Sequence, residues 1–212
     1  VRVDYQKPAE QTTVNILPPY GETSGLRAYE DSIVNVSGGL IRNFLTTHGR
    51  SQLNVSGGSI QGVGIWDDSE ANFAGGYIDW SLSAGDNARV SLSGAEIGDD
   101  LQAYDQSCIT VTGGTIGEAI FAGSDIGSPF ENSSIIFVGT EFTINGKSVD
   151  YDEYFASDYA SGYITGQLQN GDYLANAFEI NETRDFRNFD SNKCSIYHGK
   201  YKSRNVENTR YA

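Results

Sequence analysis

The sequence predicts an all-β protein assembled from stacked copies of one short unit, and three observations carry that prediction. The stretch "EDSIVNVSGGLI" at 30–41 returns nineteen positions later as "GRSQLNVSGGSI". The first glycine of each copy, Gly38, Gly57, Gly75, Gly94 and Gly113, recurs at spacings of 19, 18, 19 and 19, and Gly139 follows after 26 with "GSPFENS" as an insertion. A fixed period near twenty is the mark of stacked structural repeats. Third, 25 of the 212 residues are Gly, none is Met and only 38% are apolar, which excludes a conventional helical bundle. The length suits one domain able to bury its own core.

Each element follows from the anchor. The positions four and two before it and three after it are apolar: Val34, Val36 and Ile41, then Leu53, Val55 and Ile60, and so on to Ile136, Val138 and Phe142. Alternation of period two means strands with one buried face. A second short strand is expected twelve to ten positions before the anchor, at Leu26 and Ala28, Leu45 and Thr47, Val63 and Ile65, Leu82 and Ala84, Leu101 and Ala103, and Ile120 and Ala122. Units this short bury their faces only by stacking on one another. The glycine pairs supply turn conformations closed to residues with a Cβ. Asn35, Asn54 and Asn72, followed by Ser91 and Thr110, share one outward position where like side chains can hydrogen-bond up the stack. Asn35 and Asn54 also fit the Asn-x-Ser acceptor pattern, as do Asn132 and Asn181.

The predicted organisation is an N-terminal cap over 1–22, with "TTVNI" as a strand and "PPYG" as a turn, then repeats over 23–146 and a C-terminal cap over 147–212. Within the last, "SGYITGQLQNGDYLANAFEI" at 161–180 reads as two strands around a turn that close the stack. Residues 181–212 are expected to drape along the column.

The combination resembles the right-handed parallel β-helix, with about six or more rungs and capped ends, over residues 23–146. Within that family the small single-domain polysaccharide lyases, of the alginate and pectate type, are nearest in size and groove chemistry. Leucine-rich repeats need more Leu, and propeller blades need about twice the period.

If the repeated phrase is scaffold, function belongs where the units differ in an organised way. Nine positions before the anchors, not counting the insertion, stand Tyr29, His48, Trp66, Gly85, Tyr104 and Gly123. Two positions earlier come Arg27, Thr46, Gly64, Ser83, Gln102 and Phe121. Rings at regular height beside hydrogen-bonding groups suit a polysaccharide, whose pyranose faces are apolar and whose rims are polar. The expected substrate-binding residues are therefore Arg27, Tyr29, His48, Arg50, Trp66, Gln102 and Tyr104. Aromatics that merely shelter turns are the plainer alternative. Asp67, Asp86 and Asp105, one position further on, are turn residues by habit and candidate ligands for Ca2+ by chemistry. No other cofactor is indicated: "NGKS" at 145–148 lacks the earlier glycine of a phosphate loop, since position 141 is Glu, and HExxH, CxxC and GxSxG are absent.

The formal charge of −14 is unevenly spread. Seven of the 14 Lys+Arg follow residue 183 and only Asp185, Asp190 and Glu207 oppose them, leaving a tail near +4 on a body near −18. That asymmetry suggests a local anion site rather than nucleic-acid binding, or a tail docked on the acidic body. The tail gathers His198, Lys200, Tyr201 and Arg204. Cleavage of a uronic-acid polymer by β-elimination needs a cation for the carboxylate, a base for the C5 proton and an acid for the leaving oxygen, which these residue types supply. A Cys108–Cys194 disulfide would pin the tail to the fifth rung.

The sequence thus raises the expectation of a monomeric, secreted polysaccharide lyase acting on an anionic, alginate-like polymer, with His198, Lys200, Tyr201 and Arg204 catalytic. A non-catalytic glycan-binding adhesin or surface module is the alternative. Hydrolysis by paired carboxylates, Asp99 with Asp105 or Asp67 with Asp86, is a third. The longest apolar run, "IIFV", is far short of the roughly 20 residues that cross a bilayer, and with no basic and apolar leader at Val1 any secretory signal is expected to have been removed already.

Overall fold

The computed structural model describes residues 12–19, 21–123, 133–149 and 161–180 in full, and the backbone alone of 2–3 and 195–199. The described chain is all β. The first coil comprises β2 (Thr13–Ile16), β3 (Glu22–Thr23) and β4 (Leu26–Ala28), with β1 (Arg2–Val3) paired alongside β4. The next two coils are single bent strands, β5 (Ile33–Thr47) and β6 (Gln52–Ile65). Three more follow as β7 (Glu70–Ile78) with β8 (Leu82–Ala84), β9 (Arg89–Ile97) with β10 (Leu101–Ala103), and β11 (Cys108–Ile116) with β12 (Ala119–Ala122). All pair in parallel with the coils before and after, giving a β-solenoid of about six turns. Among the described residues no helix is long and apolar enough to cross a membrane.

Residues one repeat apart sit directly above one another: Val34 pairs with Leu53, Leu53 with Ala71, Ala71 with Val90 and Val90 with Ile109. Each coil has three faces. The first carries the Asn-bearing strand, the second is the short stretch typified by Ile41 and Ile60, and the third is the strand from Leu26 to Ala28 and its equivalents. Inward columns from all three meet in one core, in which Phe73, Phe137 and Phe142 are the largest fully buried side chains. Small Ala71 and large Phe73 are both buried on one strand, so volume is traded along the rung while the core stays filled.

The corners differ from the expectation of separate strands joined by turns. In β5 and β6 the chain stays paired through the glycine corner and shifts register there, between Val36 and Ser37 and between Ser37 and Leu40. Gly58 holds φ at 92°, and at Gly57 a Cβ would come within 2.8 Å of the Ser37 carbonyl oxygen of the preceding coil. The pair is needed for two reasons: one position is left-handed, and the other touches the coil before it.

On the first face, Asn35 Nδ2 donates to Asn15 Oδ1, Asn54 Nδ2 to Asn35 Oδ1, and Asn72 Nδ2 to Asn54 Oδ1, at 2.9, 3.0 and 3.3 Å. The ladder thus begins at Asn15, in a strand that stacks as a coil of the solenoid. A column the sequence reading passed over lies inside the corner before it: Ser32, Ser51, Ser69, Ser107 and Ser133 are fully buried. Ser32 and Ser51 donate within their own turns, to the carbonyls of Tyr29 at 2.6 Å and His48 at 2.9 Å, whereas Ser69 and Ser107 donate to the Gly49 and Ala84 carbonyls of the preceding coil at 3.4 and 3.0 Å.

After the insertion the predicted phase is off by one residue at Ile136, although Val138 and Phe142 are buried as expected. In β13 (Ser134–Ile144) it is Ile135 and Phe137 that align with Ile109 and Val111 and are fully buried, while Ile136 faces outward level with Thr110. Four consecutive apolar residues cannot phase themselves by alternation, and pairing with β11 decides. Beyond β14 (Lys147–Ser148), the expected hairpin is β15 (Ser161–Leu168) with β16 (Tyr173–Ile180), antiparallel. β15 lies against β13 and β16 stacks in parallel on β12, covering the end of the third face. Asn176, nearly fully buried, donates to the carbonyls of Ile116 and Glu118, both at 2.9 Å. Asp172 accepts from the Gly114 amide at 2.6 Å and from Asn170 Nδ2, and those bonds hold its carboxyl below the usual range.

Where the tail is described it does not drape along the column. β17 (Ser195–Gly199) pairs in parallel with β13, Ile196 opposite Ile135 and His198 opposite Phe137, adding one more strand to the first face. An open edge strand is a template for pairing, and β17 occupies that template.

Candidate functional site

The outward residues of the third face form one ribbon, as their register requires. Arg27 pairs with Thr46, Thr46 with Gly64, Gly64 with Ser83 and Ser83 with Gln102. Tyr29, His48, Trp66 and Tyr104 follow one corner of that face in the same order. From β4 to β10 the ribbon climbs four strand spacings, about 19 Å.

The aromatics are fixed in different ways. Tyr29 and His48 stack on each other, ring centroids 5.0 Å apart and planes 13° apart. His48 Nδ1 also lies 3.5 Å from Asp67 Oδ2. Trp66 lies flat across two glycines. A Cβ at Gly64 would fall 2.6 Å from its Nε1, and a Cβ at Gly85, one coil further on, would run into its six-membered ring at Cζ3. The two breaks in the columns are therefore the seat of the indole, which is half-buried there.

A second ring sits on the same strand. Phe44 covers Gly62, where a Cβ would come within 2.7 Å of Cε1, and Trp80 meets Phe44 edge-on at 5.6 Å and 64°. Phe44 and Trp80 are 50% and 43% exposed, high values for such large rings. Gly62 and Gly64 are two residues apart, so the two seats are separated by about 6.6 Å along the strand. Neither Phe44 nor Trp80 stands in the columns that the sequence singles out. The signal was the glycine one coil after Phe44, at Gly62.

The C-terminal end of the ribbon is a closed polar network. Gln102 Oε1 accepts from Ser83 Oγ at 2.8 Å and Tyr104 Oη at 3.0 Å, and Gln102 Nε2 donates to Asp100 Oδ2 at 3.3 Å. At the other end, Ser24, Arg27, Tyr29, Asn43 and Phe44 line an open cleft of about 500 Å3.

The three aspartates proposed as Ca2+ ligands have another occupation. Asp67, Asp86 and Asp105 adopt φ of 59°, 54° and 55°, the left-handed region that Asp enters more readily than most residues. Each sends Oδ2 to a backbone amide of the preceding coil: Asp67 to Gly49 at 2.9 Å, Asp86 to Asp67 at 3.0 Å and Asp105 to Asp86 at 3.3 Å. This is a backbone-to-carboxylate ladder up the corner, and no cluster of three or more metal-ligating side chains occurs among the described residues. Arg50, expected to bind substrate, is held by both carboxylate oxygens of Asp31 at 2.8 and 2.9 Å, which lowers the Asp31 pKa.

Of the expected catalytic residues, Lys200, Tyr201 and Arg204 lie outside the described residues, as does Cys194 and with it the pairing to Cys108. The backbone of His198 is on the first face, level with Phe137. It stands six strand spacings from β5, about 29 Å along the column from the coil that carries His48. The structure therefore gathers Arg27, Tyr29, His48, Trp66, Gln102 and Tyr104 on one face without bringing His198 to the Tyr29–His48 end. Neither a protein-family model, nor a curated protein, nor a solved structure matches the chain.

Proposed function

We propose that the protein binds a polysaccharide along the third face of its solenoid, with the outward face of Trp66 as the central stacking platform. The observation that carries this reading is the seating of Trp66 across Gly64 and Gly85, together with Phe44 on Gly62. Two flat rings are held on one sheet face with small polar residues, Thr46 and Ser83, between and beside them. A sheltering ring would be expected to cover apolar atoms, whereas these cover glycine backbone and leave apolar surface outside. Rigid aromatics give contact area at little cost in side-chain entropy. On this reading the solenoid is a non-catalytic binding module. Affinity electrophoresis through gels containing neutral and acidic plant, algal and bacterial polysaccharides is the test. Retardation by at least one polymer, lost in Trp66→Ala, supports the reading, and unaltered migration in all of them removes it.

Cleavage of a uronate polymer by β-elimination is the second reading, and the resemblance to small β-helical lyases enters here. What favours it is a meeting of three side-chain types at one end of the ribbon: a guanidinium at Arg27, a phenol at Tyr29 and an imidazole at His48, able to neutralise a carboxylate and to take up and return a proton. Ultraviolet absorbance of an unsaturated product from alginate or pectate, abolished in His48→Ala, would establish it. Binding without any such product leaves the first reading alone.

A further inference from the structure

We propose that the cleft between Phe44 and Tyr29 recognises a single carboxylate on an otherwise uncharged glycan, with Arg27 as the recognising group. This rests on the polysaccharide-binding reading above and specifies its ligand.

The charge of the ribbon changes sign along its length. Arg42 and Arg50, the other arginines of the first two coils, are neutralised by Glu22 and Asp31, and Glu30 faces Arg50 as well. Arg27 is exposed on β4 and has no carboxylate partner among the described residues. Arg27 lines the cleft together with Phe44 and Tyr29. Tyr29 is braced by its stack on His48, so its ring is held rigid. Ser24 and Asn43 add hydrogen-bonding groups at the rim. A planar guanidinium in a cleft shared with two aromatic rings suits a carboxylate carried by a sugar ring, because Arg can donate two parallel hydrogen bonds to it.

From Trp66 onward both margins of the ribbon are acidic. Asp67, Asp86 and Asp105 follow one corner, while Asp79, Asp99 and Asp100 follow the other. The backbone amides that bind Asp67, Asp86 and Asp105 use one oxygen of each and do not cancel the charge. These carboxylates lie beside the ribbon, within the roughly 10 Å over which charge acts in 0.1 M salt. A polymer with a carboxylate on every residue would meet repulsion over most of its bound length. A chain with one acidic sugar, placed at Arg27, would meet attraction there and little of the repulsion.

The test uses three tetrasaccharides of equal length in low salt: neutral xylotetraose, glucuronosyl-xylotriose with one carboxylate, and tetramannuronate with four. Their affinities are measured by calorimetry for the whole chain, for Arg27→Gln and for Trp66→Ala. A charge-assisted bond predicts that the singly charged sugar binds about tenfold or more tighter than the neutral one, with the fully charged one weakest. Arg27→Gln, a surface change whose melting temperature should match the parent's, brings the ratio of the first two to about one. Trp66→Ala weakens both. Equal binding of the neutral and singly charged sugars by the unaltered protein, a ratio that persists in Arg27→Gln, or tightest binding of tetramannuronate overturns the inference while leaving the polysaccharide reading standing. No binding of any of the three overturns this inference, and unaltered migration in every polysaccharide gel overturns the polysaccharide reading with it.

Discussion

The indole of Trp66 rests on Gly85, the glycine that interrupts its own aromatic column one coil further along. A side chain at position 85 and the present position of the ring exclude each other. Gly85→Val should therefore lift Trp66 off the sheet, at a cost of about 1–3 kcal/mol for forcing bulk into a filled contact. In a Trp80→Phe background, Trp66 is the only indole, and its fluorescence should become more accessible to acrylamide. Unchanged quenching would mean that the ring does not occupy that seat.

The asparagine ladder makes a graded prediction. Asn54 takes part in two side-chain bonds, one to Asn35 and one from Asn72, whereas Asn72 takes part in one, to Asn54. With a typical net value near 1 kcal/mol per bond, less at an exposed site, Asn54→Ala should cost about 1–2 kcal/mol and Asn72→Ala about half as much. Urea unfolding measures both. Equal costs would show that the ladder bonds do not contribute separately.

At the aspartate corner, conformation and hydrogen bonding can be separated. Asp86 has φ of 54° and accepts from the amide of Asp67 at 3.0 Å. Asp86→Asn keeps an acceptor and tolerates the left-handed backbone, Asp86→Gly keeps only the backbone, and Asp86→Ala keeps neither. Stability should fall in that order, with Ala costing about 1–3 kcal/mol. Thermal melts should also be insensitive to Ca2+ and to chelator, and a Ca2+-dependent rise abolished in Asp86→Asn would restore the aspartates as ligands.

The hairpin that covers the solenoid end should loosen in acid. The bonds from Asn170 and the Gly114 amide depress the Asp172 pKa below its unfolded value, near 4. A depressed carboxylate stabilises the fold above its unfolded pKa, and that contribution is lost as pH falls through the folded value. Melting temperature followed from pH 6 to about pH 2 should drop for the parent protein, and drop less for Asp172→Asn, which has nothing to protonate at that position. Parallel curves would show that Asp172 does not couple the hairpin to acid.

The register of the solenoid was legible because it is written nineteen residues at a time: a side chain such as Asn54 announces its neighbours at Asn35 and Asn72 by recurrence alone. The seats of the rings were not, because a glycine in a column reads as a gap until the neighbouring coil is in place. Gly62, Gly64 and Gly85 gain meaning only beneath Phe44 and Trp66. The phase of Ile135 and Phe137 was misread since "IIFV" contains no polar residue to mark the outward side, and pairing with Ile109 and Val111 supplied the missing information. The buried serine column went unnoticed for a related reason. Ser51 and Ser69 look like turn residues in sequence, and only packing reveals that they are enclosed. The tail carries no period, so nothing in the sequence foretold the pairing of Ser195–Gly199 with β13.

The central claim is that a polysaccharide lies on the third face over Trp66. Its most direct test is fluorine NMR of 5-fluorotryptophan-labelled protein, with the two resonances assigned by Trp66→Phe and Trp80→Phe, during titration with a polysaccharide that retards the protein in affinity gels. The account predicts that the Trp66 resonance moves and saturates with ligand. Saturable binding that leaves the Trp66 resonance in place would contradict it.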